Sequence, residues 1–369
     1  MDADCRALVA ERIRQRGPVT VAEFMDLALY APEVGYYARA AQRSGRAGDF
    51  FTSVDTGPVF GALLAERFAA WWRELGDGTR GPARIDLVEA GAGNGRLTRD
   101  VLDAAAQRDP AFYQAIAAHL VERSPQARAA HVEVLASHRP RLATSGHALP
   151  DDIEGVVFAN ELLDAFPVHV VEMGEAGLRE VHVDLEAGRL VDRAGPLSDP
   201  ALAGYLADAG VALARGARAE INLAATAWVA NVGARMRRGF LVIIDYGYEA
   251  AELYSAARSQ GTLATYHRHL VDAPGDGAPA GPAWLADPGT RDLTSHVDFT
   301  SVRRAAQRAG LEAVSASTQT RFLLDILEAS PIVAELSAPD RLADRLALKT
   351  LLLPGGLGST HTVMVFAKR

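Results

Sequence analysis

Three observations predict an α/β fold with a mostly parallel sheet, a helical amino-terminal subdomain and a β-hairpin insertion. Ile85-Asp-Leu-Val-Glu89 is a short apolar run of the kind a buried strand carries, and it passes at once into Gly91-Ala-Gly93-Asn-Gly95 and the helical stretch Leu97–Ala106. Further strand patterns at Ala117–Glu122, Gly155–Ala159 and Phe240–Asp245 alternate with helical periodicity, as from Ala219 to Met236, and that alternation favours parallel strands. Between Val168 and Val191 the pattern changes to alternating and β-rich, with Gly174 and Gly177 at a turn, which reads as an inserted hairpin.

In chain order, Val19–Tyr30 has apolar residues at helical spacing behind a capping box of Thr20 and Glu23. A turn over Pro32–Tyr37 and a glycine-rich loop, Arg43–Ser53, lead to a helix-like run from Val59 to Trp72. Residues 1–80 are therefore expected to form the helical cap, and 81–369 the sheet domain, with insertions at about 168–215 and 250–290. The Pro/Gly/Asp-rich stretch Asp272–Pro288 reads as a long loop, Asp298 starts a helical run to Ala309, and Thr362–Lys368 is a last strand.

Composition excludes several functions. The 38 Lys+Arg against 46 Asp+Glu give a net charge of −8, the opposite of the basic footprint that phosphate contacts require, so nucleic acid is not expected as a partner. The single cysteine, Cys5, excludes an internal disulfide and a multi-thiolate metal site. No apolar run approaches the roughly 18 residues of a membrane span. The first residues alternate charge with apolar side chains and hold no continuous apolar segment, so a cytoplasmic address is expected.

The glycine loop narrows the ligand. Arg96 stands where a dinucleotide fingerprint needs its third glycine, which argues against a pyrophosphate-bearing cofactor. A carboxylate at the strand end, Glu89, followed by Gly91, Gly93 and Gly95, suits an adenosyl amino acid: the glycines let the backbone approach, and the acid can meet an ammonium group. S-adenosylmethionine fits. Glu122, ending the next strand, is placed to accept ribose hydroxyls in a bidentate contact.

The strand Gly155–Ala159 ends in Asn160-Glu161-Leu-Leu-Asp164, two carboxylates and an amide at a carboxyl-terminal strand edge. Methyl transfer from a sulfonium demands in-line placement of the nucleophile, and Glu161 could hold a guanidinium for it. The alternative is that Glu161 and Asp164 are ordinary acids of a helix's first turn. Asp245, ending the strand Leu241–Ile244, is either a site contact or a turn cap. His267, His269 and His296 are alternative bases for a hydroxyl acceptor, and no metal site is expected.

Gly35-Tyr-Tyr37, Gly48-Asp-Phe-Phe-Thr-Ser53, Glu89–Gly95, Asn160–Pro167, Glu220-Ile-Asn222, Ile244-Asp-Tyr-Gly247, Gly261-Thr-Leu263, Asp292–Phe299 and Thr318-Gln319 with Phe322-Leu-Leu324 together resemble the MidA family. These are S-adenosylmethionine-dependent methyltransferases related to a mitochondrial complex I assembly factor that methylates an arginine. The resemblance implies a class I methyltransferase fold. It also implies that Gly91, Gly93 and Gly95 form the cofactor loop, that Glu122 is the ribose ligand and that the Gly48–Ser53 loop, with Asp49 and Thr52, borders the cofactor; Glu89 and Asn160 are expected as further cofactor contacts, and Asp164 and Asp245 are expected to shape the catalytic pocket beside Glu161. Asn160-Glu-Leu-Leu163 is similar to the opening of the double-glutamate loop of arginine methyltransferases, with Glu161 as the first glutamate. At the second glutamate's usual spacing stands Val168-His-Val-Val171, with Glu172 nearby. The implied partner is an acceptor protein; a small-molecule acceptor, a non-catalytic assembly role and a homodimer stay open.

Overall fold

A computed structural model describes residues 4–38, 52–267, 270–272, 282–336, 338–353 and 357–369. The chain divides into two compact units: the first gathers residues 1–50, 163–229 and 247–305, the second 51–162, 230–246 and 306–369.

The second unit is built on seven strands of an eight-stranded sheet, whose eighth, Val297–Asp298, pairs with Gly247 and Tyr248: β1 (Ile85–Ala90), β2 (Ile116–Val121), β3 (Leu142–Gly146), β4 (Ile153–Asn160), β5 (Met236–Tyr248), β6 (Glu312–Thr318) and β7 (His361–Lys368). Their order is β3-β2-β1-β4-β5-β7-β6. Strands β1 to β5 pair in parallel, and β7 runs antiparallel between β5 and β6. This is the class I architecture that the resemblance implies. The central strands are apolar throughout because they are buried on both faces: Val156, Val157, Phe158, Leu241, Val242 and Ile243 are wholly buried. The two edge strands are not. β6 exposes nearly every residue and β3 most of them, so neither carries the apolar run that marks the others.

Helix α1 (Val59–Glu74) lies in this unit and packs on α2 (Arg96–Arg108) so closely that a Cβ on Gly61 would stand 2.6 Å from that of Asp100. Its apolar stripe meets the sheet: Phe68 lies 5.1 Å from Phe158, and Trp71 stacks on Phe240 at 4.6 Å. The amino-terminal cap was expected to run to residue 80. The first unit instead takes only residues 1–50 of the amino terminus, because Phe60, Leu64, Phe68 and Trp71 belong to the sheet's core.

In the first unit, helices Cys5–Arg16 and Val21–Tyr30 bury Val9, Phe24, Met25 and Leu29 against an antiparallel sheet. The expected hairpin is there, His169–Gly174 with Gly177–Glu186 turning at Gly174 and Gly177, and it is extended by Arg189–Gly195, Arg218–Ile221 and Val19–Thr20. The helix expected from Ala219 begins only at Leu223. Arg218–Ile221 is drawn into this sheet by pairing with His169–Glu172, and Asn222 Oδ1 then accepts the Ala225 N–H at 2.8 Å. Asp49 and His269 lie outside the described residues, as does 273–281 of the expected Asp272–Pro288 loop.

Two glycines set the spacing of β1, β4 and β5. Gly239 and Gly155 face each other in register, at φ of +133° and +154°. A Cβ on Gly239 would meet the Gly155 carbonyl oxygen at 1.8 Å, and one on Gly155 the Asp86 carbonyl oxygen at 2.1 Å. Substituting alanine at either forces both a strained backbone and a parted ladder, so Gly239→Ala is expected to lower unfolding free energy by about 3 kcal/mol or more. Urea unfolding of the variant beside Gly210→Ala, where a Cβ meets nothing within 4 Å, separates the clash from backbone strain alone, since Gly210 sits at φ +74°.

Candidate functional site

The chain passes from β1 through α2 to β2 on one side and returns through β3 to β4 on the other, so β1 and β4 flank the point where the strand order reverses. Open α/β sheets place their ligands beyond the carboxyl ends of such strands. Two loops meet that description: Gly91–Gly95 after β1 and Asn160–Leu162 after β4.

The glycine loop takes left-handed backbone at Gly91, Gly93 and Gly95, with φ of +71°, +52° and +87°. Two of the glycines are also demanded by space. A Cβ on Gly91 would stand 2.9 Å from Leu162 Cδ1, and one on Gly95 2.9 Å from Leu120 Cδ2, while Gly93 opens on a space with nothing within 4 Å. The loop is tied to β2: Gly91 and Ala92 N–H donate to the Val121 carbonyl at 2.9 and 3.1 Å. Gly93 is held on both sides. Its N–H donates to Glu122 Oε2 at 2.9 Å, and its carbonyl lies 2.8 Å from His131 Nε2. That carbonyl can only accept, so Nε2 carries the ring proton and Nδ1 accepts from Ser145 Oγ at 2.8 Å. Burial lowers the His131 pKa and keeps the ring neutral.

Glu122 also accepts the Ser124 N–H, at 2.7 Å on Oε1, and burial holds its carboxyl above the usual range. Backbone hydrogen bonds from Ser124, Gly93 and Arg123 favour its ionised form against that burial. Glu89 lies beneath the loop. It is 4% exposed, its Oε2 accepts the N–H of Thr98 at 3.1 Å and the Thr98 hydroxyl, and burial pushes its pKa up to about 8. Thr52 donates its N–H and hydroxyl to Asp55 Oδ2 at 3.0 and 3.1 Å, and Arg96 Nη2 binds Asp55 Oδ1 at 2.5 Å. The segment that follows residue 51 is thereby fastened to the first residue of α2. Ser53 Oγ donates to Gln319 Oε1 at 3.0 Å.

After β4, Glu161 sits at φ +51°, rare for a non-glycine residue. Its N–H donates to the Ile244 carbonyl at 2.8 Å, and its Oε1 accepts from Asn160 Nδ2 at 3.2 Å. Asn160 Oδ1 is buried and has no hydrogen-bond partner among the described residues. Asp245 is fully buried and works on the backbone: Oδ2 accepts the Leu162 N–H at 3.2 Å and Oδ1 that of Tyr246 at 2.9 Å. Sequence reasoning missed His361, the first residue of β7, whose Nε2 lies 3.4 Å from Glu161 Oε1. It also missed His131. The one signal for His361 was a polar Thr360-His361 pair opening an apolar strand, and His131 had none.

Other residues named from the sequence belong to the first unit. Asp164 is buried there; its carbonyl accepts the Ser295 N–H at 3.0 Å, and its charge, after burial, Asp292 and Tyr30, helps to raise the Tyr37 phenol well above its ordinary pKa. Glu172 is paired with Arg218 at 2.9 Å. Glu220 accepts the Thr262 N–H at 3.0 and 2.9 Å and that of Leu263 at 3.2 Å, which joins two of the resembling motifs for a structural reason. Burial drives His296 down to about pKa 4, so it is a weak base near neutrality.

Known proteins are similar along most of this chain. The family model described as “Putative S-adenosyl-L-methionine-dependent methyltransferase” matches residues 63–317. The protein arginine methyltransferase NDUFAF7, mitochondrial, of Mus musculus is 31% identical over 324 residues, which cover 80% of this chain and 68% of that protein. Its Homo sapiens counterpart is 29% identical over 325 residues, 80% and 67% of the two chains. A crystal structure from Burkholderia thailandensis, bound to S-adenosyl-homocysteine, matches with a TM-score of 0.83 at 30% identity, over 99% of this chain and 92% of that one. The cytoplasmic expectation is corrected by these curated relatives, whose names carry a mitochondrial address.

Glu89 makes stability depend on pH. Its folded pKa, about 8, exceeds the ordinary value of 4.5, so the folded state binds more protons between those values and the stability this confers is lost as pH rises through about 8. Urea unfolding without cofactor is expected to weaken by a few kcal/mol between pH 5 and pH 8 on this account. Glu89→Gln should flatten that slope; an unchanged slope would mean that Glu89 ionises freely in the folded state.

Proposed function

Because the chain belongs to the MidA-type family of S-adenosyl-L-methionine-dependent methyltransferases, we propose that it transfers a methyl group to an arginine nitrogen of an acceptor protein. It is an enzyme, and its cofactor is S-adenosyl-L-methionine. The observation that carries the acceptor reading is Glu161, a carboxylate held at a strained backbone position beyond β4, in a chain similar to proteins named arginine methyltransferases.

The glycine loop fits the cofactor. Its positive-φ backbone leaves open space over Gly93, and the Glu122 carboxylate beside it is an acceptor for the hydroxyls of a ribose. When bound, the cofactor supplies a methyl group on a sulfonium sulfur. The chain's own task is placement. Gly91, Gly93 and Gly95 admit the cofactor, Glu122 orients its ribose, and the unpartnered Asn160 Oδ1 offers an acceptor to a nearby N–H. Glu89 acts from below through Thr98, and Thr52 borders the site through Asp55 and Arg96. Glu161 accepts the N–H of the guanidinium and keeps its nitrogen aimed, while Asp245 fixes the loop at Leu162. Asp164, in the first unit, supports the turn to Ser295.

Calorimetry with S-adenosyl-homocysteine is expected to show binding at least ten-fold weaker in Glu122→Ala, a loss of about 1.4 kcal/mol. Glu161→Gln should bind the cofactor like the parent and transfer methyl roughly 100-fold more slowly to an arginine-rich peptide. Acid hydrolysis of the labelled product must yield methylarginine; label on any other residue overturns the acceptor assignment.

A further inference from the structure

Gln319 opens the helix Gln319–Ala329, is fully buried and enters no step described so far. Its amide is used at one end only. Ser53 Oγ donates to Oε1 at 3.0 Å, while Nε2, which carries two N–H groups, has no acceptor among the described residues. Fastening the helix to Ser53 needs just the oxygen, and a buried N–H without an acceptor costs stability that nothing in the chain returns. Its place is the ligand-bearing edge of the sheet. Thr318, the end of β6, stands opposite Thr362 of β7, which stands opposite Asp245 of β5, so Gln319 leaves the sheet at the edge where the Ile244 carbonyl holds Glu161. Ser53 begins the short turn of helix Ser53–Thr56, in which Asp55 binds Arg96, the residue after Gly95. The Gln319 amide and the residue that follows the glycine loop are thus bonded to the same short segment of the second unit.

The amino-acid end of the cofactor is a zwitterion: an ammonium that only donates and a carboxylate that only accepts. The glycine loop has little left for the carboxylate, because the N–H groups of Gly91, Ala92, Gly93, Gly95 and Arg96 all donate within the chain. Among the described residues of this unit, two side-chain amides keep an atom without a partner, Asn160 Oδ1 as an acceptor and Gln319 Nε2 as a donor. An acceptor and a donor are the pair that a zwitterion requires. Resting on the cofactor reading above, we propose that Gln319 Nε2 binds the amino-acid carboxylate of S-adenosyl-L-methionine, with Ser53 turning the amide so that its N–H groups face that anion. The bond is charge-assisted although the donor is neutral. The sulfonium sulfur lies between the ribose and the amino acid, so a hold on the carboxylate beside the hold of Glu122 on the ribose restricts where the methyl group can stand.

The test is calorimetry with three ligands: S-adenosyl-homocysteine, its decarboxylated analogue, which keeps the ammonium and lacks only the carboxylate, and 5′-methylthioadenosine, which lacks the whole amino acid. Gln319→Met, similar in length and without a donor, is expected to raise the Kd of S-adenosyl-homocysteine at least ten-fold and to leave the other two within two-fold of the parent. A Kd for S-adenosyl-homocysteine within two-fold of the parent overturns the proposal. So does a loss that all three ligands share, which marks a residue that only shapes the pocket, or a loss that the decarboxylated analogue shares, which marks an amide turned the other way to meet the ammonium. Should Gln319→Met not fold, Ser53→Ala decides: with the amide free to turn, a loss of at least three-fold confined to S-adenosyl-homocysteine supports the proposal, and no such selective loss overturns it. A parent that binds no S-adenosyl-homocysteine is a separate failure, of the cofactor reading itself, and takes the proposal with it.

Discussion

The glycine loop of the second unit takes its position from the way Gly93 is gripped. A left-handed glycine between two others has little conformational preference of its own, and its loop would sample many shapes if left to the strand that precedes it. Here its N–H is held by Glu122 and its carbonyl by the neutral, buried His131, both of which follow β2. Parallel pairing of β1 with β2, from Ile85 opposite Ile116 to Ala90 opposite Val121, thus decides where the loop stands. Sheet register becomes site geometry without a flexible intermediary.

The loop beyond β4 is fixed by the same device. The Ile244 carbonyl and the Asp245 carboxylate, successive residues of β5, hold the N–H groups of Glu161 and Leu162. This grip pins Glu161 in a conformation that costs on the order of 1–3 kcal/mol, and the neighbouring strand supplies the bonds that sustain it. A charge lodged at a strained position among bonded neighbours keeps its direction through a reaction, as electrostatic placement requires.

Much of this was legible in the sequence. The apolar central strands, the glycine spacing and the acids at strand ends are local signals, and Glu122 and Glu161 came from them directly. The edge strands Leu142–Gly146 and Glu312–Thr318 were not, because a strand with one partner and a solvated face needs no apolar run. His131 and His361 escaped for another reason: each stands beside a residue far from it in sequence, Gly93 and Glu161, and no spacing rule links such pairs. Asp164 shows the converse limit. It stands three residues after Glu161, yet the chain crosses between compact units at 162–163, so proximity in sequence was no guide to its surroundings.

The place of β7 has a consequence for how the chain is made. The last strand, His361–Lys368, lies between β5 and β6 rather than at an edge, and its arrival completes pairings on both sides. During synthesis, Glu312–Thr318 emerges from the ribosome with no strand to pair with, and Phe240–Tyr246 waits with one flank bare. The sheet cannot close until His361–Lys368 is available to pair on both sides. Closure of this unit therefore waits on a contact between distant parts of the chain, and until it forms two strand flanks stay unpaired.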